Sequence, residues 1–193
     1  MARTSVAIAA ILASLAAGRP CAETADRRPA FEVLLNNRAP AAAPEVATAQ
    51  TRVRFLFGEA GIHVTWVASS EAPVEPGRER IVLVLLDVSE GDRVVAGDVR
   101  RLGFAMPPAH RVYVHYRRSY DLATLGHVPP GWFLGVVMAH ELAHVLLPQP
   151  GHAAGGVMAA RLSPDPERPP AFSREEAQSL RTRLAADRLL ALR

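Results

Sequence analysis

From Trp132 to Leu147 the chain is apolar at every position except His140, Glu141 and His144. A helix that is apolar all round has no face to offer water and must sit in a core. This segment is too short for a membrane span and carries three polar groups. Burying a carboxylate and two imidazoles there is costly unless they are paired or bound to a metal. The plain alternative is two core histidines satisfied by backbone carbonyls, with a glutamate at the surface. The spacing favours a metal. Residues i and i+4 share one helix face, so His140 and His144 can grip a single ion. Glu141 beside them is placed to handle the proton of a water that the ion activates.

A structural zinc fills four positions with protein ligands, usually including cysteine, whereas a catalytic zinc keeps three and leaves one for water. The single cysteine, Cys21, lies far from the motif, which excludes a Cys-rich structural site. One catalytic Zn2+ is therefore expected, with its third ligand downstream. Pro148 should stop the helix, and Pro150-Gly151 should turn the chain. His152 follows at once, then Gly155-Gly156-Val157-Met158.

This arrangement resembles the metzincin metalloproteases, in which HExxHxxGxxH supplies three zinc histidines above a downstream Met-turn. The resemblance implies that His140, His144 and His152 are ligands, that Glu141 is the general base, and that Met158 forms the Met-turn. Two departures stand out. Leu147 occupies the position of the family glycine, and His152 follows His144 by eight residues, where the family has six. A gluzincin-like alternative takes the third ligand from a later carboxylate, with Glu167, Glu175 and Glu176 as candidates. The resemblance further implies a substrate-binding edge strand over Leu102, Gly103, Phe104 and Ala105, which favours a polypeptide substrate.

The function expected is that of an exported zinc metalloendopeptidase. Two rivals are a catalytically inactive zinc-binding or interaction protein on the same fold, and a non-peptidase zinc hydrolase. Peptide deformylase also carries HExxH, but its third ligand is a cysteine, and Cys21 sits in the leader region.

Residues 1–22 read as a secretory signal peptide, with Arg3 as a positive start, an apolar stretch from Val6 to Ala17, and a small-residue cleavage site at Ala16-Ala17-Gly18. A secreted or periplasmic location follows. Arg19-Pro20 before Cys21 do not make a lipidation box. Residues 23–193 are expected to form a single catalytic domain and to act as a monomer, with no membrane span once the leader is removed. Lysine is absent and the pI is about 9.7. The arginines are spread along the chain among acids, and no aromatic-basic motif of a nucleic-acid module appears.

An α/β fold is expected, of the α+β zincin-like kind. It has a mixed, twisted sheet of about five strands, an N-terminal helix, the HExxH helix and a C-terminal helix. Strand candidates are Phe31 to Leu35, Ile62 to Val67, Leu102 to Met106 and Arg111 to Tyr116. Ile81 to Leu86 reads as a central strand covered on both faces. A helix from about Glu45 to Ala60 follows from the spacing of Val46, Ala49, Val53, Leu56, Phe57 and Ala60, with Gly61 as its cap. The stretch after Arg117, through Gly126 to Pro129-Pro130-Gly131, reads as a loop. Ser173 to Glu176 is a capping box opening a helix to about Leu190. His110, His115 and His127 are secondary candidates for lining a cleft. Tyr113, Tyr116 and Tyr120 are candidate oxyanion donors, and Asp87 and Asp98 candidate partners for ligand histidines.

Overall fold

The apolar run at Ile81–Leu86 lies in the middle of a five-stranded sheet. The computed structural model describes residues 28–87, 101–147 and 151–191. The strands are β1 (Ala30–Asn37), β2 (His63–Val67), β3 (Glu79–Leu86), β4 (Gly103–Met106) and β5 (Arg111–His115). Their order across the sheet is β2-β1-β3-β5-β4. The first four in that order run parallel, and β4 closes one edge antiparallel to β5, pairing Gly103 with Val114 and Met106 with Arg111. A central parallel strand is covered on both faces. Accordingly Ile81, Leu83, Val84, Leu85 and Leu86 are all buried.

One face of the sheet carries the main core. Phe31, Val33, Val64, Ile81, Leu83, Leu85, Val112 and Val114 alternate along their strands and join one apolar cluster with the helices. On the opposite face Glu32 of β1 and Arg80 of β3 are register neighbours. They form a buried ion pair at 2.6 Å. Arg80 also donates to the carbonyls of Ala72 at 2.7 Å and Pro73 at 3.1 Å, which ties down the Pro/Gly-rich loop before β3.

Helix α1 (Ala43–Glu59) begins two residues before the expected Glu45. Pro44 lies in its first turn, where the missing N–H costs nothing. The helix ends at Gly61, whose φ of 76° is left-handed; Ile62 N–H then reaches back to the Phe57 carbonyl at 2.9 Å. Phe57 meets Phe31 edge-on at 4.9 Å and seats the helix on the sheet.

The stretch after Arg117, expected as a loop, instead begins in a helix, α2 (Tyr116–Leu125), which also takes Tyr116 from the expected end of the preceding strand. It buries only Tyr116, Ser119 and Ala123, so its apolar stripe is thin. A weak stripe of that kind is easily read as polar loop. Its local supports are the Ser119 hydroxyl on the His115 carbonyl at 3.0 Å and the Arg117–Asp121 pair one turn apart at 3.0 Å. The HExxH helix, α3, spans Pro130–Leu146. The C-terminal helix, α4, spans Arg174–Ala191. Its capping box forms as expected: Ser173 N–H donates to Glu176 Oε2 at 2.7 Å, and Glu176 N–H donates to Ser173 Oγ at 3.2 Å.

The expected leader with Cys21, residues 148–150 and Asp98 lie outside the described residues. Among the described residues no helix is long and apolar enough to cross a membrane.

Candidate metal centre

Helix α3 is buried along nearly its whole length. Its depth is set by close contact with α1. A Cβ built on Gly131 would come 2.6 Å from the Glu45 carbonyl oxygen, and one on Gly135 would come 2.7 Å from that of Ala49. The two backbones meet because neither glycine has a side chain. One turn past this crossing, α3 presents His140 (buried), Glu141 (5% exposed) and His144 (half-buried) to a cleft of about 1040 Å³.

The stretch after α3 returns His152 to this point. Ala153 N–H bonds the Met158 carbonyl at 2.7 Å, and Val157 N–H bonds the Ala171 carbonyl at 3.0 Å. Gly156 makes the turn at φ 77°, and a Cβ there would lie 2.5 Å from Ala171 O. This turn aims the Val157 carbonyl at His140 Nδ1, 2.7 Å away, and buries Met158 next to it. A carbonyl only accepts, so Nδ1 carries the proton and the lone pair of neutral His140 is on Nε2. Burial pushes the His140 pKa down, partly offset by the Val157 bond, and the nearby His152 lowers it further.

His144 Nε2 lies 3.0 Å from His140 Nε2 and 3.2 Å from His152 Nε2. Imidazole nitrogens held at 2.0–2.1 Å around one tetrahedral zinc stand about 3.3 Å apart. The donor set therefore fits such an ion in both chemistry and spacing. Among the described residues these histidines are the only group of three or more potential ligands that converges within 4.8 Å. Glu167, Glu175 and Glu176 do not line the cleft. Glu176 is engaged instead in the α4 cap.

Glu141 lies on the cleft floor beneath the edge strand. A Cβ on Gly103 would stand 2.8 Å from both Glu141 Cγ and Oε1, and 2.6 Å from the Tyr113 carbonyl oxygen. The bare glycine lets β4 pass directly over the carboxyl. Burial pushes the Glu141 pKa up to about 8, against a smaller downward pull from Arg101. Leu102, Gly103, Phe104 and Ala105 all line the cleft. Leu102 O accepts from His115 N at 2.8 Å, so the β4 ladder reaches the expected Leu102 start.

The secondary candidates do not reach this cleft. His110 sits exposed at the β4–β5 turn with φ 48° and bonds Glu79 at 2.6 Å. His127 is exposed at the end of α2, and His115 is buried at the end of β5. Tyr113 stacks on Phe104 at 4.6 Å, and Tyr116 donates to Glu45 at 2.5 Å. Tyr120 packs on Tyr116 at 5.9 Å. Asp87 does not line the cleft. Sequence reasoning missed Arg101, Leu122 and Arg161 on the cleft wall, and the Val157 carbonyl as the partner of His140. No local motif marks the first three; the adjacency of Val157 to Met158 was the available hint for the fourth.

No protein-family model and no curated protein matches the chain. Solved structures do. Archaemetzincin from Methanopyrus kandleri superposes with a TM-score of 0.52 at 17% identity, over 82% of this chain and 98% of that one. A zinc-dependent peptidase from Methanocorpusculum labreanum gives a TM-score of 0.43 at 12% identity, over 80% and 99%. The first likeness establishes the fold: an α/β zincin-like architecture built on a five-stranded mixed sheet.

Proposed function

We propose that this chain is a zinc-dependent metalloendopeptidase. The observation carrying the proposal is the convergence of three Nε2 atoms from His140, His144 and His152 beside a buried glutamate, at the floor of an open cleft. The archaemetzincin fold supports it. His140, His144 and His152 would hold the ion, with His140 oriented by the Val157 carbonyl and Met158 buried under the site as a Met-turn. Bound there, zinc would supply Lewis acidity, acidifying a water and polarising the scissile carbonyl.

The remaining work falls to the chain's own side chains. Glu141 would accept the proton of the attacking water and return it to the leaving amine. Zinc bound beside it would favour the ionised carboxyl, the form that can accept that proton. The outer edge of β4 would bind an extended peptide by strand addition. Export to the periplasm or outside the cell belongs to the same reading, on the strength of Arg3, Val6–Ala17 and Ala16-Ala17-Gly18.

The test is a metal assay paired with a Glu141→Gln variant on unfolded protein substrates. About one zinc per chain, with cleavage present in the wild type and lost in the variant, is the expected result. Zinc bound without cleavage by either form would point to a non-catalytic zinc protein, and absence of metal binding would defeat the reading. A His152→Ala variant that still held zinc at full affinity would remove His152 from the ligand set.

A further inference from the structure

We propose that the cleft selects peptides bearing a carboxylate next to the scissile bond, held by Arg101 and Arg161. This deepens the peptidase reading above and rests on it. The cleft wall comes mainly from two separate stretches: the β4 segment beginning at Arg101, and the Ala159–Leu162 segment that follows Met158. Each contributes one exposed arginine. Among the described lining residues the only other charged side chain, apart from the histidines, is Glu141, which is buried on the floor. Much of the remaining wall is apolar and small, including Leu102, Ala105, Leu122, Ala159 and Leu162. Discrimination by charge therefore falls to the two guanidinium groups.

Both arginines stand on anchored backbone. The Arg101 carbonyl accepts from Arg118 Nη1 at 3.1 Å, and the Arg161 segment is fixed by the Ala153–Ala159 bridge. Among the described residues no carboxylate pairs with either side chain in a salt bridge, so both remain available to a ligand. Arg101 stands two residues before Gly103, which passes directly over Glu141, and both line the same cleft. Guanidinium binds carboxylate through paired N–H donors, and such charge-assisted bonds are stronger than neutral ones. A peptide lying along β4 would meet Arg101 from one stretch and Arg161 from the other. A lysine at the same positions would be repelled.

An Asp or Glu side chain and a free C-terminus offer the same carboxylate chemistry, and the experiment separates these sources. Zinc-loaded Glu141→Gln protein is titrated with fluorescent peptides identical except for a central Ala, Glu or Lys, each with an amidated C-terminus. A further Ala peptide carries a free C-terminal acid close to the centre. We expect binding of the Glu peptide at least ~5-fold tighter than Ala, with Lys weakest and the gap narrowing in about 0.5 M salt. Tighter binding of the free-acid peptide instead would assign the carboxylate to a chain terminus and still support the proposal. Adding Arg101→Gln and Arg161→Gln should bring all peptides to one affinity. Equal affinities before those substitutions, or a preference that survives both, would overturn the proposal. Wild type cleaving Ala and Glu peptides with equal kcat/KM defeats this inference alone. Wild type cleaving none of the peptides, nor any unfolded protein, defeats the peptidase reading instead.

Discussion

Replacing Glu141 by glutamine in the metal-free protein should raise stability, and the gain should grow with pH. The carboxyl is 5% exposed, and burial lifts its pKa from an ordinary 4.5 to about 8. Below pH 4.5 folded and unfolded chains both carry the proton, so nothing is lost. Between 4.5 and 8 the unfolded chain releases a proton that the folded one retains, and stability falls as pH rises. Above 8 both are ionised and the penalty is complete. A displacement of about 3.5 pH units, at ~1.4 kcal/mol each, comes to about 5 kcal/mol. Glutamine keeps the volume and lacks the charge. Any cost of its buried amide is independent of pH and shifts the whole curve equally. The three histidines are common to both proteins, so their contribution largely cancels in the comparison. The assay is urea unfolding in chelator at pH 5, 6.5 and 8.5. The variant's advantage should increase by several kcal/mol across that range. Zinc should shrink it, because an adjacent cation favours the ionised carboxyl. A constant difference within about 1 kcal/mol would refute the claim that Glu141 is a desolvated carboxyl.

Three further outcomes are expected. Gly103→Ala forces a methyl to within 2.8 Å of Glu141 Oε1. It should retain bound zinc while lowering peptidase kcat at least ~10-fold, since a misplaced base costs rate and leaves the ligands intact; unchanged kcat would mean that β4 does not position Glu141. Gly135→Ala sets helix propensity, worth up to about 1 kcal/mol in favour, against a Cβ 2.7 Å from the Ala49 carbonyl oxygen. Overpacking of about 1–3 kcal/mol should win and lower Tm by several degrees, whereas a rise in Tm would show that the crossing relaxes freely. Ser173→Ala removes the α4 cap and should cost about 1 kcal/mol in chemical denaturation, with metal content unchanged.

The long, strongly patterned elements were legible in the sequence for local reasons. The apolar run around His140, Glu141 and His144 required a buried helix, Gly61 marked the end of α1, and Ser173 and Glu176 marked the start of α4. Helix α2 was not legible, because Tyr116, Ser119 and Ala123 bury too little apolar surface to stand out from Arg117, Arg118 and Asp121. The choice between His152 and a later carboxylate was equally hidden, since residues eight apart across a turn can point anywhere. The tight turn at Gly156 and the Val157–Ala171 and Ala153–Met158 bonds bring His152 to within 3.2 Å of His144.

By itself, then, the sequence determined that a helix carrying His140, Glu141 and His144 would lie inside an α/β core. Helix periodicity and the cost of burying charge both act over a few residues and can be read there. Only the tertiary structure decided which residues meet that helix. The paired-glycine crossing with α1 sets its depth, and β4 covers Glu141 because Gly103 has no side chain. Arg101 and Arg161, distant along the chain, share one cleft wall because sheet order and the Met158 turn bring their segments together. Those contacts span long separations, and their geometry depends on packing that no local pattern encodes.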